Sequence, residues 1–270
     1  MRFGDLKFIF LLSVWVILFP LTGSAQVFEG FWEQKAVVTS QLPVWGKKVE
    51  KEDHRIFVTT DFIKTVDLND GRTNIFDYRK QLIFRLDPTQ ETVASISFSD
   101  FSALMKRNWE NIDRANRRFR HKLKTMTPQQ RQMAVQFLGG DPTQPFNFHP
   151  KITLKKLSDS KRIGGFLCEH VQILADGRPF LDAFWTNAIQ LPRAPLKMFR
   201  QFGYFPFDLP PDVQNFSGFP METTLNIFMG IASVRSHSRV VRVVPKKIST
   251  NEFRIPENYR RVPWNYMKLF

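Results

Sequence analysis

The side chains with the most reactive chemistry are few and far apart in this sequence. Among its 270 residues are one cysteine and five histidines. The cysteine lies in GGFLCEHVQIL, Gly164 to Leu174, where Cys168 precedes His170 by two positions. A thiol deprotonated by a neighbouring imidazole is a nucleophile, which makes this the first spacing to weigh. On a strand, residues i and i+2 share a face about 6–7 Å apart, too far for a direct hydrogen bond without bending. No orienting base or oxyanion-binding element is evident nearby, so the stretch reads as a structural strand. Strict alternation would put Leu167, Glu169, Val171 and Ile173 on the face opposite Cys168. The other histidines, His54, His121, His149 and His237, fall in separate elements without ligand spacing. With no cysteine cluster either, neither a metal site nor a cofactor is expected. There is no Gly-x-Ser-x-Gly, P-loop or dinucleotide fingerprint. Asp61, Asp67 and Asp182 are carboxylates on predicted strands, with no glycosidase-type pairing assigned among them. The residue chemistry therefore predicts a protein with no catalytic residues.

The elements around these residues alternate between two periods. RIFVTTDFIKTVDL alternates, with Ile56, Val58, Phe62, Val66 and Leu68 predicted on one face. NDGR, Asn69 to Arg72, supplies an Asp-Gly turn. QLIFRL follows with Leu82, Phe84 and Leu86 in phase, then the turn DPTQ, then TVASISF with Ala94, Ile96 and Phe98 together. Short strands joined by tight turns predict an antiparallel meander with one apolar face. From Phe101 to Met126 the apolar positions are Phe101, Met105, Trp109, Ile112, Ala115, Phe119, Leu123 and Met126. Steps of three and four predict an amphipathic helix capped by Ser99 or Asp100. Its opposite face is basic. Thr127 and Pro128 open a second helix that Gly139-Gly140 closes, giving a helical insert at about 100–139. Strands resume at KITLKKL, continue through GGFLCEHVQIL, and reach RPFLDAFWTNA across the hairpin ADGR. A Pro- and Phe-rich stretch, Leu191 to Asn215, reads as loops and a short helix. A last hairpin turns at Met229-Gly230.

The N-terminus has the layout of a secretory signal peptide. Arg2 and Lys7 form its basic region and Phe8 to Leu21 its apolar run, and the small residues Gly23 and Ala25 precede Gln26. The expectation is a leader over 1–25, cleaved near Ala25, and one exported domain over 26–270. The single cysteine allows no internal disulfide, so stability must come from packing. At 43% hydrophobic and 14% aromatic the chain can build a large core. Its net charge of +14 attracts anionic lipid head groups and cell-wall polymers. Nucleic acid is the usual partner of such charge, but export argues against it.

Three stretches in order carry a resemblance: NIFDYRKQLIFRLDPTQETVASIS, KRIGGFLCEHVQILADGRPFLDAFWTN and VRVVPKKISTNEFRIPENYRRVP. Together with the helical insert LKTMTPQQRQMAVQFL, the chain resembles a family of exported bacterial proteins of unknown function. That family is related to the periplasmic lipoprotein-sorting carriers of the LolA and LolB type. The resemblance implies an α+β fold, a strongly curved antiparallel sheet forming an incomplete β-barrel, with helices across its concave face. In the carriers that concave face holds acyl chains, and the family has no catalytic residues to transfer.

The sequence therefore predicts an exported binding protein for a lipid or acylated ligand. Val58, Phe62, Leu82, Phe84, Ile96, Phe98, Val171 and Trp185 are its candidate lining. Lys106, Arg107, Arg114, Arg117 and Arg118, on the basic helix face, are its candidate contacts with an anionic membrane surface. The alternative is a structural or regulatory module whose core is filled by its own helices and which binds another envelope protein.

Overall fold

The structure, a computed structural model, describes residues 27–42, 46–138, 150–192, 218–228 and 233–264. The leader, the Gly139-Gly140 helix stop, most of the Pro- and Phe-rich stretch and the Met229-Gly230 turn lie outside the described residues. Six strands come first: β1 (Gly30–Leu42), β2 (Gly46–Val58), β3 (Phe62–Asp67), β4 (Thr73–Asp77), β5 (Leu82–Asp87) and β6 (Thr92–Ser97). Two helices follow, α1 (Phe98–Thr125) and α2 (Pro128–Leu138). The remaining strands are β7 (Ile152–Ile163), β8 (Phe166–Ala175), β9 (Arg178–Thr186), β10 (Phe219–Phe228), β11 (Ser233–Pro245) and β12 (Arg260–Arg261), with a 3₁₀ turn at Thr250–Phe253.

All twelve strands form one curved, unclosed sheet in the order β12-β6-β5-β4-β3-β2-β1-β11-β10-β9-β8-β7. Two antiparallel meanders, β1–β6 and β7–β11, meet where β1 pairs with β11. Only β12 runs parallel to its neighbour, β6. The chain must therefore pass from β6, near one edge, to β7 at the other. A flat twelve-stranded sheet is about 50 Å wide at its ordinary strand spacing. The helix that makes the crossing has 28 residues and so spans about 42 Å. Laid across a curved sheet it reaches most of the way, which gives the α+β incomplete barrel its shape.

Local chemistry fixes the meander. Asp67, Asp77 and Asp87 each end a strand, ten residues apart. Each Oδ1 accepts from backbone amides two or three residues on: Asn69, then Arg79 and Lys80, then Thr89 and Gln90. Four residues after each aspartate the chain turns left-handed, at Gly71 (φ 75°), Gln81 (φ 56°) and Glu91 (φ 47°). These are Asx-capped turns closed by an αL residue, a standard four-residue hairpin loop.

The caps of both helices come from side chains. Ser97, two residues before the expected cap, receives the Asp100 amide at 3.0 Å and donates to Asp100 Oδ2 at 2.6 Å. Thr127 caps α2 in a reciprocal box with Gln130, at 2.9 and 3.3 Å. The buried stripe of α1 is Phe101, Met105, Trp109, Ile112, Asn116 and Leu123. Ala115 is exposed and Asn116 takes the inward position, because the helix continues in steps of four. The Phe119 side chain lies outside the described residues.

The sheet has an apolar cluster on each face, the outer one confined to the β1–β6 half and the C-terminal segment with Val244 of β11. The inner face, toward α1, holds the main core, including Trp32, Val58, Ile63, Phe76, Ile83, Val171, Ile173, Trp185 and Leu225. A second cluster on the outer face joins Phe31, Phe57, Ile75, Leu86 and Val93 to Ile248 and Phe253 of the C-terminal segment. Phe62 stacks on Phe253 with centroids 4.7 Å apart, and Lys64 binds the Glu252 carbonyl and carboxylate at 2.8 and 2.9 Å. Each large side chain buried in these clusters contributes about 1.5–3 kcal/mol.

Candidate functional site

Two-sided burial separates the candidate lining residues. Val58, Phe98, Val171 and Trp185 are buried in the main cluster on the helix side, and Ile96 packs against it. Phe62 and Phe84 pack instead into the outer cluster, and half-buried Leu82 lies two residues before Phe84 on the same strand. The cause is a turn inside RIFVTTDFIKTVDL. The run is not one strand: Thr59 Oγ1 accepts from the Phe62 amide at 3.1 Å, the chain reverses, and Val58 pairs with Ile63. Cross-strand partners share a face, so Ile63 joins Val58 on the inside and Phe62 points the other way. In β5, likewise, Ile83 rather than Phe84 faces the helix.

The ladder registers reveal a feature of the inner face that linear reading missed. Ala183 pairs with Thr223, Thr223 with Ser238 and Ser238 with Ala36, so four small residues form one row across β9, β10, β11 and β1. All four are 1–3% exposed. Two residues along on one side stand Leu181, Leu225 and Val38, with Ser236 between the last two. On the other side stand Trp185, Met221 and Val240, with Trp32 beyond. The row is thus the floor of a trough whose walls are large and apolar except at Gln34 and Ser236, and its burial means that the trough is covered. A few polar atoms punctuate it: Thr223 and Ser238 hydroxyls are 2.8 Å apart, and Trp32 Nε1 donates to Gln34 Oε1 at 3.3 Å. Only pairing partners, not sequence spacing, bring these small residues into line.

The basic helix face is solvated. Lys106, Arg107, Arg114, Arg117 and Arg118 are all exposed; Arg117 pairs with Asp113 and Arg114 donates to Asn111.

Cys168 and His170 are not a pair. Cys168 is fully buried in the main cluster and its Sγ donates to the Phe166 carbonyl at 3.4 Å. Burial pushes its thiol pKa above 9.0. Val171 and Ile173 are buried in the same cluster as Cys168. Beside them the β7–β8 register shifts between Lys156 and Ser160, with the extra residues on β7. His170 belongs to a different constellation, on the outer face. Its Nδ1 is 2.8 Å from both Asp159 oxygens and its Nε2 is 2.9 Å from Asp182 Oδ1. Its ring stacks on Phe184 at 4.4 Å, and Lys161 sits 3.7 Å above the same phenyl centroid. Burial opposes the charged ring, but the hydrogen bonds to Asp159 and Asp182 and their negative charge outweigh it and raise the pKa above 6.5. Gln172 holds the second Asp182 oxygen at 2.6 Å. Both ring nitrogens are thereby engaged on opposite edges, and the three groups do not converge on a common point for a metal. Of this set, the sequence singles out only Asp182 and His170, and Asp159 enters through the β7 irregularity.

No family model matches the sequence, and no curated protein sequence matches it. Solved structures similar to it include an uncharacterized conserved protein from Thermus thermophilus, at TM-score 0.37 and 8% identity over 86% of this chain and 90% of that one. Another is a domain from Vibrio parahaemolyticus assigned to outer membrane lipoprotein sorting, at TM-score 0.31 and 10% identity over 85% and 92%. A third is a LolA superfamily protein from Nitrosomonas europaea, at TM-score 0.30 and 8% identity over 92% and 96%.

Proposed function

We propose that this protein is an exported, non-enzymatic binding protein. It accommodates a lipid or another acyl-bearing, amphiphilic molecule on the inner face of its incomplete barrel. The observation that supports this reading is the extended apolar inner face under the amphipathic helix α1, cut by the trough over Ala183, Thr223, Ser238 and Ala36. A flexible hydrocarbon chain that displaces what covers this trough gains about 0.8 kcal/mol for each buried methylene. The lining residues in this reading are Val58, Ile96, Phe98, Val171 and Trp185. Phe62 and Phe84, on the outer face, provide controls. Lys106, Arg107, Arg114, Arg117 and Arg118 face away from the core and bring the carrier to anionic envelope surfaces, at about 1 kcal/mol for each cation near the membrane.

Native mass spectrometry of protein made in a bacterial periplasm, with organic extraction of anything bound, tests the reading. Wild type carries a discrete adduct of lipid mass. Ala183→Phe fills the trough and loses the adduct, whereas Phe84→Ala keeps it. A clean apo mass, together with failure to bind an acyl-chain fluorophore, would overturn the carrier function.

A further inference from the structure

Three cations on the outer face converge on one aromatic ring. Phe31 of β1 is 8% exposed and packs against Phe57 with centroids 5.6 Å apart. The guanidinium carbons of Arg55 and Arg242 and the ammonium of Lys246 lie 5.4, 5.7 and 5.0 Å from its centroid. The two neighbours of β1 bring them together, β2 with Arg55 and β11 with Arg242 and the following Lys246, because Phe31 pairs with Phe57 and Val244 while Glu33 pairs with Arg55 and Arg242. Glu33 answers one of the three charges: its Oε1 receives Arg55 Nε and Nη2 at 2.8 and 2.6 Å. Glu29 is turned to the backbone, accepting from the Ile248 amide at 2.9 Å. Among the described residues neither Arg242 nor Lys246 is in an ion pair, and both are exposed. Lys64, over the neighbouring Phe57, is committed to Glu252.

Like charges crowded over an apolar floor repel one another, and a counter-anion placed among them removes that repulsion. Phosphate suits the arrangement: a guanidinium fork offers two parallel donors, an ammonium adds a point charge, and the phenyl ring beneath excludes water from one side. We propose that Arg55, Arg242 and Lys246, gathered on Phe31, form an oxyanion site that takes a phosphate group. The site is separate from the inner face and does not depend on the carrier function. The phosphate can belong to an anionic lipid head group or to a soluble phosphate compound.

The test uses the full mature chain and two probes: pyrophosphate in solution, and vesicles of phosphatidylglycerol in phosphatidylcholine against pure phosphatidylcholine vesicles. Arg242→Gln with Lys246→Gln removes two cations and leaves the Arg55–Glu33 pair intact. Lys151→Gln with Arg178→Gln removes the same charge from the β7–β9 end of the sheet. The first variant, with an unchanged melting temperature, loses tenfold or more in affinity for whichever probe binds, and the second loses less than threefold. Arg242→Lys alone, which keeps the charge but not the fork, also weakens binding. Pyrophosphate binding identifies a small-molecule phosphate site, and binding confined to the anionic vesicles identifies a head-group site. Equal losses in the two double variants would show attraction by net charge alone, and this result, or no binding of either probe, overturns the proposal.

Discussion

Replacing His170 by phenylalanine isolates what its carboxylate partners contribute. The phenyl ring preserves the stack on Phe184, where the imidazole sits 4.4 Å from the neighbouring centroid, and removes the bonds to Asp159 and Asp182. Asp182 is not orphaned, because Gln172 still holds it at 2.6 Å. The two lost bonds are unequal. The His170 side chain is 13% exposed, Asp182 31% and Asp159 58%. The bond to Asp182 resembles a partly buried, charge-assisted hydrogen bond worth about 1.5–3 kcal/mol. The more exposed Asp159 adds between about 0 and 1 kcal/mol after solvent screening. Only a protonated imidazole donates from both nitrogens. Because the folded pKa is raised above 6.5, the stabilisation is fully present below pH 6.5 and is lost as pH rises through the folded value. At pH 5.5 the variant therefore melts about 3–16 °C below wild type, taking about 2–4 °C per kcal/mol for a domain of this size. At pH 9 the gap narrows to about 1–6 °C, the residue of a single neutral hydrogen bond. Thermal melts across this range, with intermediate points near pH 7, read the whole curve. A gap that stays constant, or widens toward alkaline pH, refutes the assignment of a doubly donating His170.

Two further outcomes follow from the same geometry. Native protein should react with a maleimide on the order of a hundredfold more slowly than denatured protein, since Cys168 is fully buried and its thiolate disfavoured. Rapid native labelling would contradict that burial. Gly218 has φ +117°, and a Cβ there would lie 2.2 Å from Trp185 Nε1 and 2.5 Å from the Thr186 carbonyl oxygen. Gly218→Ala is expected to cost about 2–3 kcal/mol in a denaturant titration, and a neutral result would mean that Trp185 is not held where the trough wall requires it.

Local signals were legible where one residue decides one geometry. The Asp-Gly turn after β3, the turn at Asp87 to Gln90, the Thr127 cap and the amphipathic run of α1 can all be read from a few neighbouring letters. The faces were harder. A period-2 pattern identifies the face of a strand only when one side is wet, and here the C-terminal segment covers the second side with Ile248 and Phe253. Phe62 and Phe84 therefore look like core residues, which they are, but of the other core. Asn116 took the place of Ala115 because helical phase drifts against a fixed step. The row Ala183, Thr223, Ser238 and Ala36, and the ring of cations on Phe31, arise from pairing between segments up to two hundred residues apart. Nothing in the linear order points to them.

The seam between β1 and β11 also bears on how the chain reaches this fold. Within the first meander successive strands are joined by short connections, three of them Asx turns, whereas in the second residues 187–218 separate β9 from β10. Pairing β1 with β11, by contrast, closes a loop from Gly30 to Pro245. The entropic cost of closure rises only with the logarithm of loop length, but long-range pairing of this kind slows folding strongly. Two halves that form early and zip together late would leave the hydrogen-bonding edges of β1 and β11 open in the interval. The protein's vulnerability to misassembly would then be concentrated in the time before that seam closes, rather than in either half.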